Sequence, residues 1–145
     1  MKNILVSACL LGEPCRYDGK SKPCERVIAL KGTYNLIPIC PEVMGGLPTP
    51  RTPSEICGER VLMKDGRDVT ENYNRGAQKA LEIARENACT VAILKEKSPS
   101  CGSGLIHNGS FDGGLVEGNG ITTQLLKQNG IRVLGESEIT EDFAL

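Results

Sequence analysis

Four short, nearly continuous apolar runs, at Asn3–Ser7, 36–39, Val91–Leu94 and 131–134, fix the kind of sheet this chain can build. A strand with one face in water alternates apolar and polar residues, whereas Ile4-Leu5-Val6 and Val91-Ala92-Ile93-Leu94 are apolar throughout. Such runs are expected to be covered on both faces, as parallel strands are. Helical patterns fall between them. Pro23 and then 24–31, closed by Gly32, have an early proline and a terminal glycine. The clearest helix is predicted over about 71–87, with Thr70 as its cap. There Tyr73, Ala77, Ala80, Leu81, Ala84 and Ala88 recur at helical spacing. A shorter helix over 122–128 ends at Asn129-Gly130. Residues 60–64 and 67–70 flank Asp65-Gly66 and read as a β-hairpin, because Asp-Gly suits a type I′ turn.

The expected fold is therefore α/β: one three-layer, Rossmann-like domain spanning 1–145. Its mostly parallel sheet has about four strands, with a small β-hairpin in addition. Right-handed crossovers suggest the strand order 2-1-3-4. At 145 residues the chain suits a single core, and no repeat or low-complexity tract marks a second domain. The connections over 8–20, 40–59 and 95–120 are long for so small a protein, and loops of that length are usually functional or disordered. All three leave the carboxyl ends of strands, where open α/β sheets bind ligands.

Charge narrows the function. Seventeen basic residues against eighteen acidic ones leave no basic field, and five aromatic residues give little to stack on. A bulk nucleic-acid partner is not expected, although a nucleobase-sized ligand remains compatible. No apolar run approaches the ~20 residues of a membrane span. Lys2 followed by Ile4–Cys9 mimics a lipoprotein leader, but its apolar stretch falls short of the roughly 7–15 residues of a secretory core. It is expected to be the first buried strand. A cytoplasmic location is expected, where seven cysteines, an odd number with no C-x-x-C pair, stay reduced thiols.

Three of those cysteines, Cys9, Cys40 and Cys101, each follow a buried strand and sit in converging loops. Three converging thiols suit zinc or an iron–sulfur cluster. Cys15, on the same loop as Cys9, is a candidate fourth ligand or a nearby reactive thiol. Cys24, Cys57 and Cys89 read as small apolar residues. Glu42, two residues past Cys40, can reach the same site and act as general acid or base. Ser98 and Ser100, bracketing Pro99, can hydrogen-bond a ligand or a cluster sulfur. Arg51, between prolines 50 and 53, can anchor a carbonyl or an anion, and Asp18 either contacts substrate or starts a turn. The single histidine, His107, and the absence of a G-x-S-x-G elbow leave no serine-hydrolase arrangement. The glycine-rich tract over 102–120 matches neither phosphate-loop pattern.

Five segments carry a resemblance in order along the whole chain: Val6-Ser7-Ala8-Cys9-Leu10-Leu11-Gly12, Cys15-Arg16-Tyr17-Asp18-Gly19, Cys40-Pro41-Glu42 with Gly45-Gly46-Leu47-Pro48-Thr49-Pro50-Arg51, Lys95 with Ser98-Pro99-Ser100-Cys101-Gly102, and Asn108-Gly109-Ser110-Phe111. With them the sequence resembles the small bacterial thiouracil desulfidase family. The resemblance implies a [4Fe–4S] cluster on Cys9, Cys40 and Cys101, with the fourth iron free of protein ligand. Glu42 would then be the acid/base, with Ser98 assisting at the substrate. It further implies a non-redox reaction in which a thiolated pyrimidine and water give uracil and hydrogen sulfide. Exposure to air is expected to strip such a cluster. His107-Asn108 stands where the family more often has Tyr-Asp, which bears on the substrate pocket. The alternative reading is a non-catalytic metal-binding or sulfur-carrying protein with a site closed by Cys15. The sequence carries no signal of oligomeric state.

Overall fold

The structure, a computed structural model, describes residues 1–145. Its strands and helices are, in chain order, β1 (Asn3–Ser7), α1 (Glu25–Ile28), β2 (Asn35–Ile39), α2 (Pro41–Met44), β3 (Ser54–Cys57), β4 (Arg60–Met63), α3 (Thr70–Glu86), β5 (Val91–Leu94), β6 (Leu105–His107), β7 (Leu115–Glu117), α4 (Ile121–Gln128) and β8 (Arg132–Gly135). The main sheet runs β2-β1-β5-β8, parallel throughout, which is the expected 2-1-3-4 order of the four apolar runs.

The unbroken apolar runs have the predicted cause. Leu5, Ala92, Leu94 and Val133 point to one face of the sheet, where they meet Ala80, Leu81 and Ala84 of α3 and Leu126 of α4. Ile4, Val6, Val91, Ile93 and Leu134 point to the other, against Leu10, Val27 of α1, Tyr34 and Ile139. Helices on both faces of a parallel sheet give the three-layer, Rossmann-like α/β arrangement. No helix is long and apolar enough to cross a membrane.

Several local expectations change. Thr70 is not the cap of α3 but its first residue. Its buried hydroxyl accepts the Val61 N–H at 2.8 Å, so it ties α3 to β4. Asp68, two residues earlier, takes over the first-turn amide, accepting the Thr70 N–H at 2.9 Å. Ala88 leaves the helical stripe; it lies past the helix end, exposed, with φ +51°. The Asp65-Gly66 turn forms, with Gly66 donating to the Met63 carbonyl, yet residues 67–70 contribute only one bridge, Leu62 with Asp68. The regular ladder pairs β4 with β3 instead, from Ser54↔Met63 to Cys57↔Arg60. Gly58, at φ +65°, supplies the positive φ that this tighter turn needs. The helix expected over 24–31 is one α turn followed by a 3₁₀ turn, Ala29–Gly32. The β6–β7 hairpin was not anticipated, since three-residue strands are too short to show a period.

Candidate active site

The carboxyl ends of β1, β2 and β5 open into one cavity of about 570 Å³, and Cys9, Cys15, Cys40 and Cys101 all line it. Each thiol is free, and each is held by a different local device. Cys9 and Cys101 are buried, whereas Cys40 and Cys15 are half-buried. Cys9 sits in the 3₁₀ turn Ala8–Leu11, which Gly12 closes at φ +100°. Cys40 caps α2, with Pro41 as the first helical residue. The Cys101 loop is sewn to the start of α4. Ile121 N–H donates to the Pro99 carbonyl, Thr122 and Thr123 N–H to that of Ser100, and the Thr123 hydroxyl to that of Cys101.

The thiols touch one another electrostatically. Cys40 pulls the Cys15 thiol down, but Cys9 and burial outweigh it and leave Cys15 at about 11. The neighbouring Cys15 and then burial drive the Cys40 thiol upward. Burial alone is the main cause that lifts Cys101 to about 12. Cys15, Cys40 and Cys101 are therefore neutral near pH 7 unless a cation or cluster draws off their protons.

Glu42 is doubly braced on one oxygen. Its Oε1 accepts the Tyr73 hydroxyl at 2.8 Å and Arg51 Nε at 3.2 Å, while Oε2 makes no hydrogen bond to the protein. Tyr73 can reach it because α2 and α3 touch backbone to backbone. Gly76 lies so close to Pro41 that an added Cβ would sit 2.7 Å from the Pro41 carbonyl carbon. Asn72 and Arg75 side chains also donate to the Gly45 carbonyl at the end of α2, at 2.9 and 3.1 Å.

The three expected substrate contacts lie in different surroundings. Arg51 lines the cavity, but its side chain is only 3 % exposed and its guanidinium makes four hydrogen bonds to the protein: to Glu42, Pro48 O, Thr49 Oγ1 and Cys15 O. It braces Glu42 and the Cys15 loop. Asp18 lies off the cavity, where it accepts the Lys20 N–H at 3.0 Å and forms the turn that was its alternative. Ser100 is also outside the cavity lining, 1 % exposed and paired with Thr122 Oγ1 at 2.9 Å. Ser98 does line the cavity. Its Oγ accepts the Cys101 N–H at 2.7 Å, which leaves its own proton available to a ligand.

Three residues of the cavity escaped sequence reasoning. Tyr73 looked like one more core position of α3, although a phenol in an Ala/Leu stripe needs a polar partner and is a usable signal. Glu55 and Phe111 join the cavity through the two small hairpins. His107 also lines it, with Nδ1 buried and without a partner.

The donor set suits the cofactor implied by the resemblance better than a single metal ion. No three Cys, His, Asp or Glu side chains converge closely enough to hold a single metal ion. Soft thiols spread around a larger cavity suit a multi-iron unit better. The charge agrees. Arg16, Lys22, Arg51, Lys64, Lys95 and Lys97 face only Glu42, Glu55 and Glu96 there, in a chain of net charge −1. Such surroundings favour an anionic group. The residues fit a cluster.

Comparison with known proteins points the same way. A solved structure described as the [4Fe-4S]-dependent thiouracil desulfidase TudS is 48 % identical, with a TM-score of 0.88; the match covers 96 % of this chain and 93 % of that one. An uncharacterised Bacillus subtilis (strain 168) protein, YbbK, is 44 % identical over 148 residues, covering 95 % of this chain and 98 % of its own. The family model described as 2-thiouracil desulfurase matches residues 4–138. The chain belongs to the 2-thiouracil desulfurase family.

Proposed function

We propose that the protein is a [4Fe–4S]-dependent desulfidase, a single domain over 1–145 acting in the cytoplasm. Thiouracil, or a thiolated uracil derivative, and water would give uracil and hydrogen sulfide. The observation that carries the reading is the meeting of Cys9, Cys40, Cys101 and a doubly braced Glu42 in one cavity, in a chain 48 % identical to a desulfidase of known structure.

Cys9, Cys40 and Cys101 are the thiols that would hold the cluster. When bound, it supplies an iron without a protein ligand, a Lewis acid toward the substrate sulfur. The rest falls to the chain. Oε1 of Glu42 is already occupied by Tyr73 and Arg51, so Oε2 is the atom that takes a proton from water and returns it to the leaving sulfur. A C–O bond forms, the C–S bond breaks, water's second proton passes from the new C–OH to the departing sulfide as the carbonyl forms, and no electrons change hands. Ser98, whose Oγ is fixed by the Cys101 amide, can donate its hydroxyl proton to the ring or to its departing charge.

Cys15 supports a second reading, because its thiol lies against both Cys9 and Cys40. As a fourth ligand it would close the site and leave no open iron. Anaerobic reconstitution followed by iron, sulfide and thiouracil assays separates the two. The desulfidase reading expects about four irons per chain, retained in Cys15→Ala and lost on alanine substitution of Cys9, Cys40 or Cys101. Cluster loss in Cys15→Ala, or a loaded protein that releases no sulfide from thiouracil, would refute it.

A further inference from the structure

The loop between β6 and β7 carries the cavity's one phenylalanine in a conformation that a bulky residue rarely adopts. Phe111 has φ +55°, in the left-handed region where a side chain is strained. Strain of that kind persists only where the surroundings over-determine it, and it collects at functional sites. Here the surroundings do so from the neighbouring hairpin. Glu55 of β3 is a buried carboxylate, 7 % exposed, and its Oε1 accepts both the Gly109 N–H at 2.9 Å and the Phe111 N–H at 3.2 Å. The Cys57 thiol, from the same strand, donates to the Gly109 carbonyl at 3.3 Å. Gly109 itself, at φ +89°, lies so near β3 that a Cβ would meet the Ile56 carbonyl oxygen at 2.7 Å.

A buried carboxylate and a thiol thus fasten a strained loop whose side chain lines the cavity. The core does not need Phe111, because it is absent from every buried apolar cluster. The geometry points to Phe111 as the aromatic wall on which a planar thiolated ring lies, with Glu55 as the positioning residue that holds it there. This rests on the desulfidase reading and adds to it the surface that selects a flat heteroaromatic thione over an open-chain one. A ring stacked on a fixed wall presents its sulfur in one direction.

The test measures uracil binding by calorimetry alongside thiouracil turnover, in reconstituted protein. Phe111→Leu keeps an apolar side chain and removes the π face. It is expected to weaken uracil binding and raise KM about tenfold, the loss of one base–aromatic stack. Phe111→Gly is expected to lose the same affinity without lowering Tm, because glycine accepts the positive φ. Glu55→Ala should reproduce the Phe111→Leu affinity and speed hydrogen exchange at the Gly109 and Phe111 amides, while Glu55→Gln, which still offers an acceptor oxygen, rescues both. Unchanged uracil affinity in Phe111→Leu overturns the proposal, as does a fall in Tm for Phe111→Gly, which would make Phe111 a packing residue. A wild-type protein that binds uracil but releases no sulfide overturns the desulfidase reading alone.

Discussion

Gly76→Ala is the sharpest test of how the acid is placed. The added methyl would stand 2.7 Å from the carbonyl carbon and 3.2 Å from the Cα of Pro41, where ordinary contact begins at 3.4 Å. At least 0.7 Å of separation must therefore open between α3 and α2, and more at the carbonyl oxygen. Overpacking of this size costs about 1–3 kcal/mol, and replacing a mid-helix glycine returns about 1 kcal/mol. The net loss of stability is then about 0–2 kcal/mol, a Tm shift of a few degrees. The effect on the site is larger. α2 carries Glu42, and its 2.8 Å bond from Tyr73 cannot survive a shift of that size with its geometry intact. A misplacement of about 1 Å can cost on the order of 100-fold in rate, so at least a tenfold loss is expected here. The assay is thiouracil turnover per bound cluster, measured beside iron content and a thermal melt. Wild-type turnover per cluster in a folded variant would refute the idea that this glycine contact positions Glu42.

Tyr73→Phe removes a hydrogen bond to a charged group, worth about 1.5–3 kcal/mol; kcat should fall about tenfold or more with KM unchanged. That loss should vanish in a Glu42→Gln background, since the two residues act as one unit. Arg51→Lys should lower kcat similarly, because a lysine cannot serve Glu42, Cys15, Pro48 and Thr49 together. The raised thiols set a pH dependence. Neutral Cys40 and Cys101 must lose their protons to bind iron, so loading should release protons and improve as pH rises, by pH-stat titration. In cluster-free protein the unfolded chain releases these protons first. Stability should then fall as pH rises from the ordinary thiol value of 9.0 toward about 12, by denaturant titration.

Most of the sheet was legible because burial on both faces leaves a plain mark: a run such as Val91–Leu94 admits few other uses. The convergence of Cys9, Cys40 and Cys101 followed from it, since strand ends in a parallel sheet share an edge. What stayed hidden depends on contacts distant in sequence. Arg51 looked available until four carbonyl, hydroxyl and carboxylate partners, up to 36 residues away, claimed its guanidinium. Ser100 and Ser98 are equivalent on paper, yet Thr122 takes one inward and the Cys101 amide turns the other to the cavity. Glu55 and Phe111, 56 residues apart, meet only because two hairpins too short to predict lie side by side.

The seam between the Cys101 loop and the start of α4 is made wholly of backbone and threonine hydrogen bonds, with Gly120 packed against Ser100. None of those bonds needs iron. A cluster destroyed by oxygen would therefore leave its socket standing, with Cys101 still presented and α4 still docked. Damage would then call for refitting a lost part, not for refolding a chain.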